Sequence, residues 1–191
     1  MNAIERAREA LLAIEPQNRY RLMVEVAAII TELLEPYGLR PVVVGGLAVE
    51  IYTRGHYTTC DIDLVVSCRD VAGQIISQLG FIKEGRHWYH EKLHVSIEMP
   101  GDRLEDADEE KVIKLHLPSG RHLYVIGIED IILDRLRACV YWKSSSDCEW
   151  GLRLLKVHRE RLDLSYMLQS VRKEGQVLEK ELIKWLETEP R

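Results

Sequence analysis

The chain has no apolar run approaching the roughly 18 residues read as a membrane-spanning helix. Its start, Met1 to Glu15, is charged throughout and lacks the apolar centre of a signal peptide. There is no excess of positive charge: 26 Lys and Arg stand against 31 Asp and Glu, for a net −5 and a pI near 5.8. A sequence-blind coat for nucleic acid is therefore disfavoured, because that affinity comes from a net basic surface. Cysteine is sparse, and no two are arranged as C-x-x-C. Cys60, Cys68, Cys139 and Cys148 lie too far apart to suggest a zinc site, and the pattern reads as reduced thiols in a cytoplasmic protein. Internal repeats and low-complexity linkers are absent.

What is present is an ordinary globular composition. The 191 residues are 46% hydrophobic and 30% charged, enough for one domain or one core with an appendage. Ile4, Ala7, Leu11 and Ile14 form a helical stripe, interrupted at Pro16. Leu22 to Leu34 form a stronger one, stopped by Pro36-Tyr37-Gly38. Val42 to Val44 read as a buried strand ending in Gly45-Gly46, and Leu47 to Thr53 as a short helix. Cys60 to Ser67 is a second strand, and Arg69 to Leu79 a helix. Phe81-Ile82 and Trp88-Tyr89 suggest a hairpin. Lys92 to Met99 alternates, with Leu93, Val95 and Ile97 on one side and His94, Ser96 and Glu98 on the other. Pro100 to Glu110 is an acidic, solvated loop. Val112–Leu117 and His122–Ile126 flank the turn Pro118-Ser119-Gly120. From Ile128 the pattern is helical, broken near Ser144, Leu162 and Gly175. The fold class is α/β or α+β, with a helical C-terminal part.

The informative segment runs from Val42 to Val66. Two glycines after a strand let a ligand approach the backbone and leave free N–H groups at a helix start, a natural phosphate cradle. Asp61 and Asp63 are two apart on a strand, so both carboxylates share a face while Ile62 and Leu64 point inward. Paired carboxylates repel unless a cation sits between them, and hard oxygen ligands suit Mg²⁺ or Mn²⁺. A phosphate cradle beside a divalent-metal site is what nucleotide chemistry requires.

Val44-Gly45-Gly46, then fourteen residues, then Asp61-Ile62-Asp63, resembles the signature of the DNA polymerase β-type nucleotidyltransferase superfamily. Thr59-Cys60-Asp61-Ile62-Asp63 is similar to the stand-alone bacterial and archaeal branch, which includes minimal nucleotidyltransferases and toxins of abortive-infection toxin–antitoxin systems. The resemblance implies a polymerase β-like core with a mixed sheet flanked by helices over residues 1–127, and a helical segment, 128–191, packed on it. It implies a third carboxylate on a later strand, for which Glu98 is the candidate. Asp61, Asp63 and Glu98 would be catalytic and hold the metal. Gly45, Gly46, Arg54 and Thr59 would contact the nucleotide. Glu129-Asp130 and Arg135 match the family's next helix, with arginine where lysine is usual, and Asp147 matches the aspartate opening the helix after it.

The reaction so implied moves an NMP from an NTP to a hydroxyl acceptor and releases pyrophosphate. The acceptor would be compact: a small molecule, a protein side chain or an RNA 3′ end, with duplex DNA disfavoured. Two rivals stand beside it. One is a non-catalytic nucleotide-binding or toxin–antitoxin module with a small helical partner; the other is a glycosyltransferase using Asp-x-Asp. Other residues have plainer readings. His87 stands at odd strand spacings from His90 and His94, so the three do not suit one zinc ion. Trp142 and Trp150 read as core or interface anchors. Arg153, Lys156, Arg159 and Arg161 could grip an RNA end, or form a solvated face paired with Glu149 and Glu160.

Overall fold

The computed structural model describes residues 2–14 and 18–188; the break expected at Pro16 lies outside them. The chain separates into two compact units. The first comprises Met1–Glu105 and Val112–Ile126, the second Asp106–Lys111 and Gly127–Arg191. Part of the acidic loop thus belongs with the C-terminal unit.

The first unit contains α1 (Ala3–Leu12), α2 (Arg19–Leu34), β1 (Val42–Val44), α3 (Gly45–Tyr52), β2 (Asp61–Val65) and α4 (Arg69–Gln78). β3 (Ile82–Glu84), β4 (His87–His90), β5 (Val95–Glu98), β6 (Ile113–His116) and β7 (His122–Val125) follow. Helix α1 opens on a capping box in which Asn2 and Glu5 exchange hydrogen bonds, satisfying two otherwise orphaned N–H groups. Asn18 caps α2 by accepting the Arg21 N–H. A 3₁₀ turn at Glu35–Tyr37 ends α2, and Gly38 follows in the left-handed region that glycine tolerates.

The seven strands form one mixed sheet in the order β3-β4-β5-β2-β1-β7-β6. β1 runs antiparallel to β2 although α3 lies between them in sequence; β2 is parallel to β5 and β1 to β7. The register separates the two faces. Val43, Leu64, Ile62, Ile97 and Val125 share one face and are buried. Helices α2 and α4 pack there, and Gly73 of α4 brings its backbone close against the Trp88 ring. Burial of Ile62 and Leu64 contributes about 2 kcal/mol each, enough to hold the β2 register. The opposite face carries Asp61, Asp63, Ser96 and Glu98, all half-buried. β5 begins at Val95, not at Lys92: His94 adopts φ +51 and ends the extended run.

The second unit contains α5 (Ile128–Tyr141), α6 (Ser145–His158), α7 (Leu164–Glu174) and α8 (Gln176–Glu187), with breaks where the sequence places them. Cys139 and Cys148 are joined by a disulfide, a correction to the expectation of four reduced thiols. The tight α5–α6 connection brings the two Cα atoms to 4.7 Å. Cys60 and Cys68 are free and exposed. Arg135 bridges Asp134 and Asp147 at 2.6 and 2.8 Å, tying α5 to α6. Trp185 is buried against Gly151, where any Cβ would overlap its ring. Trp142 is 80% exposed and is not a core residue. Among the described residues, no helix is long and apolar enough to cross a membrane.

Candidate active site

The site is built on the open face of the first unit. Val44, Asp63, Glu98 and His87 form one row across β1, β2, β5 and β4, in direct register. Asp61, Ser96 and Tyr89 form a second row beside it. Neighbouring strands are about 4.8 Å apart, so Asp63 and Glu98 project side by side. The sequence alternation that puts Glu98 on the face of the aspartates is thus realised in space.

The glycines close one end of this face. Helix α3 starts at Gly45 itself, two residues before the expected start, with Val44 as its cap. Gly45 has φ +59, and a Cβ there would overlap the Asp63 carboxylate. A Cβ on Gly46 would stand 2.6 Å from Thr59 Oγ1. The Asp63 carboxylate and the Thr59 hydroxyl therefore lie against the backbone of the first turn of α3, where helix N–H groups favour negative charge. Arg54 is not part of this group. It is exposed, past the C-terminal end of α3 and about 12 Å along the helix axis from the glycines.

Three residues that the sequence reading did not place in the site shape it. Arg19, the first residue of α2, donates to the Thr59 carbonyl at 3.3 Å, the Cys60 carbonyl at 2.8 Å and the His94 carbonyl at 3.3 Å. It fixes the segment that delivers Asp61. Glu50 of α3 accepts the Thr59 N–H and is only 4% exposed; burial pushes its carboxyl above the usual carboxylate range. Arg86, at the tip of the β3–β4 hairpin, places its Nε 3.1 Å from Glu98 Oε1. No local pattern announces Arg19 or Arg86, because their partners are distant in sequence.

His87 faces Glu98 from β4, its buried Nδ1 3.6 Å from Oε2 and without a hydrogen bond. His90 turns to the opposite, buried face and packs edge-on against Phe81. His94 is hydrogen-bonded to the Tyr89 hydroxyl. The three histidines thus go to three environments. A cleft of about 380 Å³ opens beside Asp61, lined by Arg19, Glu84, His87, Tyr89, His94 and Ser96 among others.

The donor chemistry suits a hard divalent cation: two aspartates on one face and a glutamate opposite one of them. The third donor is not yet gathered. Glu98 is drawn to Arg86, and among the described residues no three metal-capable side chains converge on one point.

In the second unit, Asp130 is buried in the first turn of α5. It accepts hydrogen bonds from the Tyr166 hydroxyl and the Asp108 N–H. Burial raises its carboxyl above the usual range. The basic stretch of this unit is engaged locally: Arg153 lies over Trp150, Arg159 donates to the Leu186 carbonyl, and Arg161 meets His158. Among the described residues, none of these pairs with Glu149 or Glu160, contrary to the solvated-pair reading.

No protein-family model matches the chain, and no curated protein matches it. The structure is similar to an antigenic nucleotidyltransferase-like protein from Paracoccidioides brasiliensis, with a TM-score of 0.57 and 12% identity over 88% of this chain and 94% of that one. It is also similar to the antibiotic-resistance factor ANT(2'')-Ia, with a TM-score of 0.49 and 16% identity over 81% of this chain and 88% of that one. The likeness to the first of these is one of fold: the chain has a nucleotidyltransferase-like fold, a seven-stranded mixed sheet flanked by helices.

Proposed function

We propose that this protein is a metal-dependent nucleotidyltransferase that moves an NMP from an NTP to a hydroxyl acceptor. The observation that carries the reading is the open face itself. Asp63 stands against the Gly45–Gly46 turn, Asp61 shares its face of β2, and Glu98 is the register partner of Asp63. In this reading the backbone N–H groups at the start of α3 hold the donor phosphates. Asp61 and Asp63 would hold Mg²⁺ or Mn²⁺, which when bound neutralises charge developing on the transferring phosphoryl group. Glu98 would complete the ligand set and accept the proton of the attacking hydroxyl. The acceptor oxygen bonds to the α-phosphorus, the bond to the bridging oxygen breaks, and pyrophosphate leaves. Thr59 packs against the cradle, so it supports the phosphate end. Arg54 has no role here, being at the far end of α3.

Membership of the stand-alone bacterial and archaeal branch, with its minimal nucleotidyltransferases and abortive-infection toxin-like proteins, and a cytoplasmic setting are part of the same proposal. A second reading has one observation in its favour: Glu98 is engaged by Arg86 and not gathered with the aspartates. That would suit a nucleotide-binding or toxin–antitoxin module that performs no transfer and engages a small helical partner. Glu98→Gln separates the two. A transferase keeps NTP binding through the glycine turn and loses label transfer from α-labelled NTP. A binding module shows no transfer in the wild type either.

A further inference from the structure

We propose that Arg86 is a positioning residue that parks Glu98 away from the aspartates, so that a metal ion gains Glu98 as a ligand only by taking it from Arg86. The proposal rests on the nucleotidyl-transfer reading of the acidic face and gives that face a built-in limit on metal affinity. Glu98 has a neighbour on each side in its row, Asp63 on β2 and His87 on β4. Both of its oxygens are matched on the β4 side. Arg86 Nε lies 3.1 Å from Oε1, and His87 Nδ1 lies 3.6 Å from Oε2. The second distance is too long for a hydrogen bond, and Nδ1 makes none. The Arg86 Nε–H is donated to His87 Nε2 at 3.3 Å, so the hold on Glu98 is one of charge.

The backbone fixes Arg86 at this spot. Glu84 and His87 are register partners, so β3 and β4 are joined by a two-residue turn, Gly85-Arg86, with Gly85 at φ +61. Arg86 therefore leaves the chain beside His87, at the end of the row that contains Glu98 and Asp63. Among the described residues, Glu98 is its ion-pair partner, while Glu84, two residues away and exposed, is passed over.

The parked position explains why three acids on one face do not converge as a ligand set among the described residues. It also sets the cost of release. The Arg86 side chain is 78% exposed against 16% for Glu98, and an ion pair so open to water is weak. A divalent cation on Asp61 and Asp63 carries twice the charge of the guanidinium and can draw Glu98 across. The strength of the Arg86 pair is then subtracted from metal binding. Removing the arginine should therefore improve the site, which is the opposite of what loss of a supporting contact would do.

The test is a double-mutant cycle on the full chain, read by calorimetric Mn²⁺ affinity without nucleotide. Arg86→Ala should bind Mn²⁺ about two- to fivefold tighter than the wild type. In a Glu98→Gln background the same substitution should lose that gain, because Arg86 acts through Glu98. Arg86→Lys keeps the charge and should stay near the wild type. Matched melting curves show that the variants are folded. A gain of equal size in the Glu98→Gln background would reduce Arg86 to a charge that repels cations at a distance, and would overturn the proposal. Unchanged or weaker Mn²⁺ binding in Arg86→Ala overturns it too, as does a gain in Arg86→Lys equal to that in Arg86→Ala. If the wild type binds no Mn²⁺, the metal-dependent reading of the acidic face falls and takes this inference with it. If the wild type binds Mn²⁺ and the cycle shows no coupling, only this inference falls.

Discussion

Asp63 and Glu98 are register partners on adjacent parallel strands, and the carboxylate of one rests on a glycine turn while that of the other rests on an arginine. Most of the testable behaviour of the protein follows from this asymmetry. Asp63 is held where helix α3 begins. Glu98 is held by a surface side chain that can leave.

Replacing Asp61 by Asn should weaken Mn²⁺ binding at least about tenfold, because one of two same-face carboxylates is lost. Without metal, the same variant should be as stable as the wild type or slightly more so, since like-charge repulsion is relieved. Calorimetric titration and metal-free melting check both. A clear loss of metal-free stability would assign Asp61 a structural role instead.

Gly45→Ala should be costly on two counts. The residue sits at φ +59, and the new methyl group meets the Asp63 carboxylate. The backbone strain alone costs about 1–2 kcal/mol, and displacement of Asp63 should abolish tight Mn²⁺ binding. Gly38→Ala has a similar φ of +72 but open space around it. It should lose stability while keeping its metal affinity, which separates strain from site damage.

The pH dependence of stability should contain two opposed contributions. Burial raises the Asp130 carboxyl above its ordinary value of 3.8. On raising pH through this window the unfolded chain sheds its proton first, so this contribution to stability falls as pH rises from about 4. Glu35 behaves the other way. Partial burial pushes it up, but hydrogen bonds from His122 and Tyr124 outweigh this and hold it below its ordinary value of 4.5. Its contribution is present above that value and is lost as pH falls through the lowered one. Denaturant midpoints measured across the acid range should lose the first trend in Asp130→Asn and the second in Glu35→Gln.

Reduction should destabilise the second unit. A bond between Cys139 and Cys148 closes a loop of about ten residues, worth about 2–3 kcal/mol in the chain-entropy account. Thiol titration of the native protein should find Cys60 and Cys68 alone, and dithiothreitol should lower the melting temperature. Cys139→Ser with Cys148→Ser should reproduce that loss and no longer respond to the reductant.

Much of the site is legible in the sequence because it is local. Gly45-Gly46 and Asp61-Ile62-Asp63 are fixed by strand alternation and a turn within one short segment. Glu98 follows from alternation on β5, although that strand is cut short by the left-handed conformation of His94. Residues whose roles depend on tertiary approach were not legible. Arg19 is 40, 41 and 75 residues from the carbonyls it clamps, and Arg86 reaches Glu98 only because the hairpin folds back along β5. Helical periodicity marked all four C-terminal helices. It could not show that the α5–α6 turn brings Cys139 to Cys148, or that it leaves Trp142 in solvent.

The central claim is that this acidic face transfers a nucleotidyl group, and parallel incubations with α-labelled and γ-labelled NTP test it most directly. Each contains Mg²⁺ and a mixed acceptor pool, with the wild type and with Asp61→Asn, Asp63→Asn. The account predicts that α-label enters an acceptor and γ-label leaves as pyrophosphate, both lost in the double variant. Transfer of γ-label to the acceptor, or α-label transfer undiminished in the double variant, would contradict it.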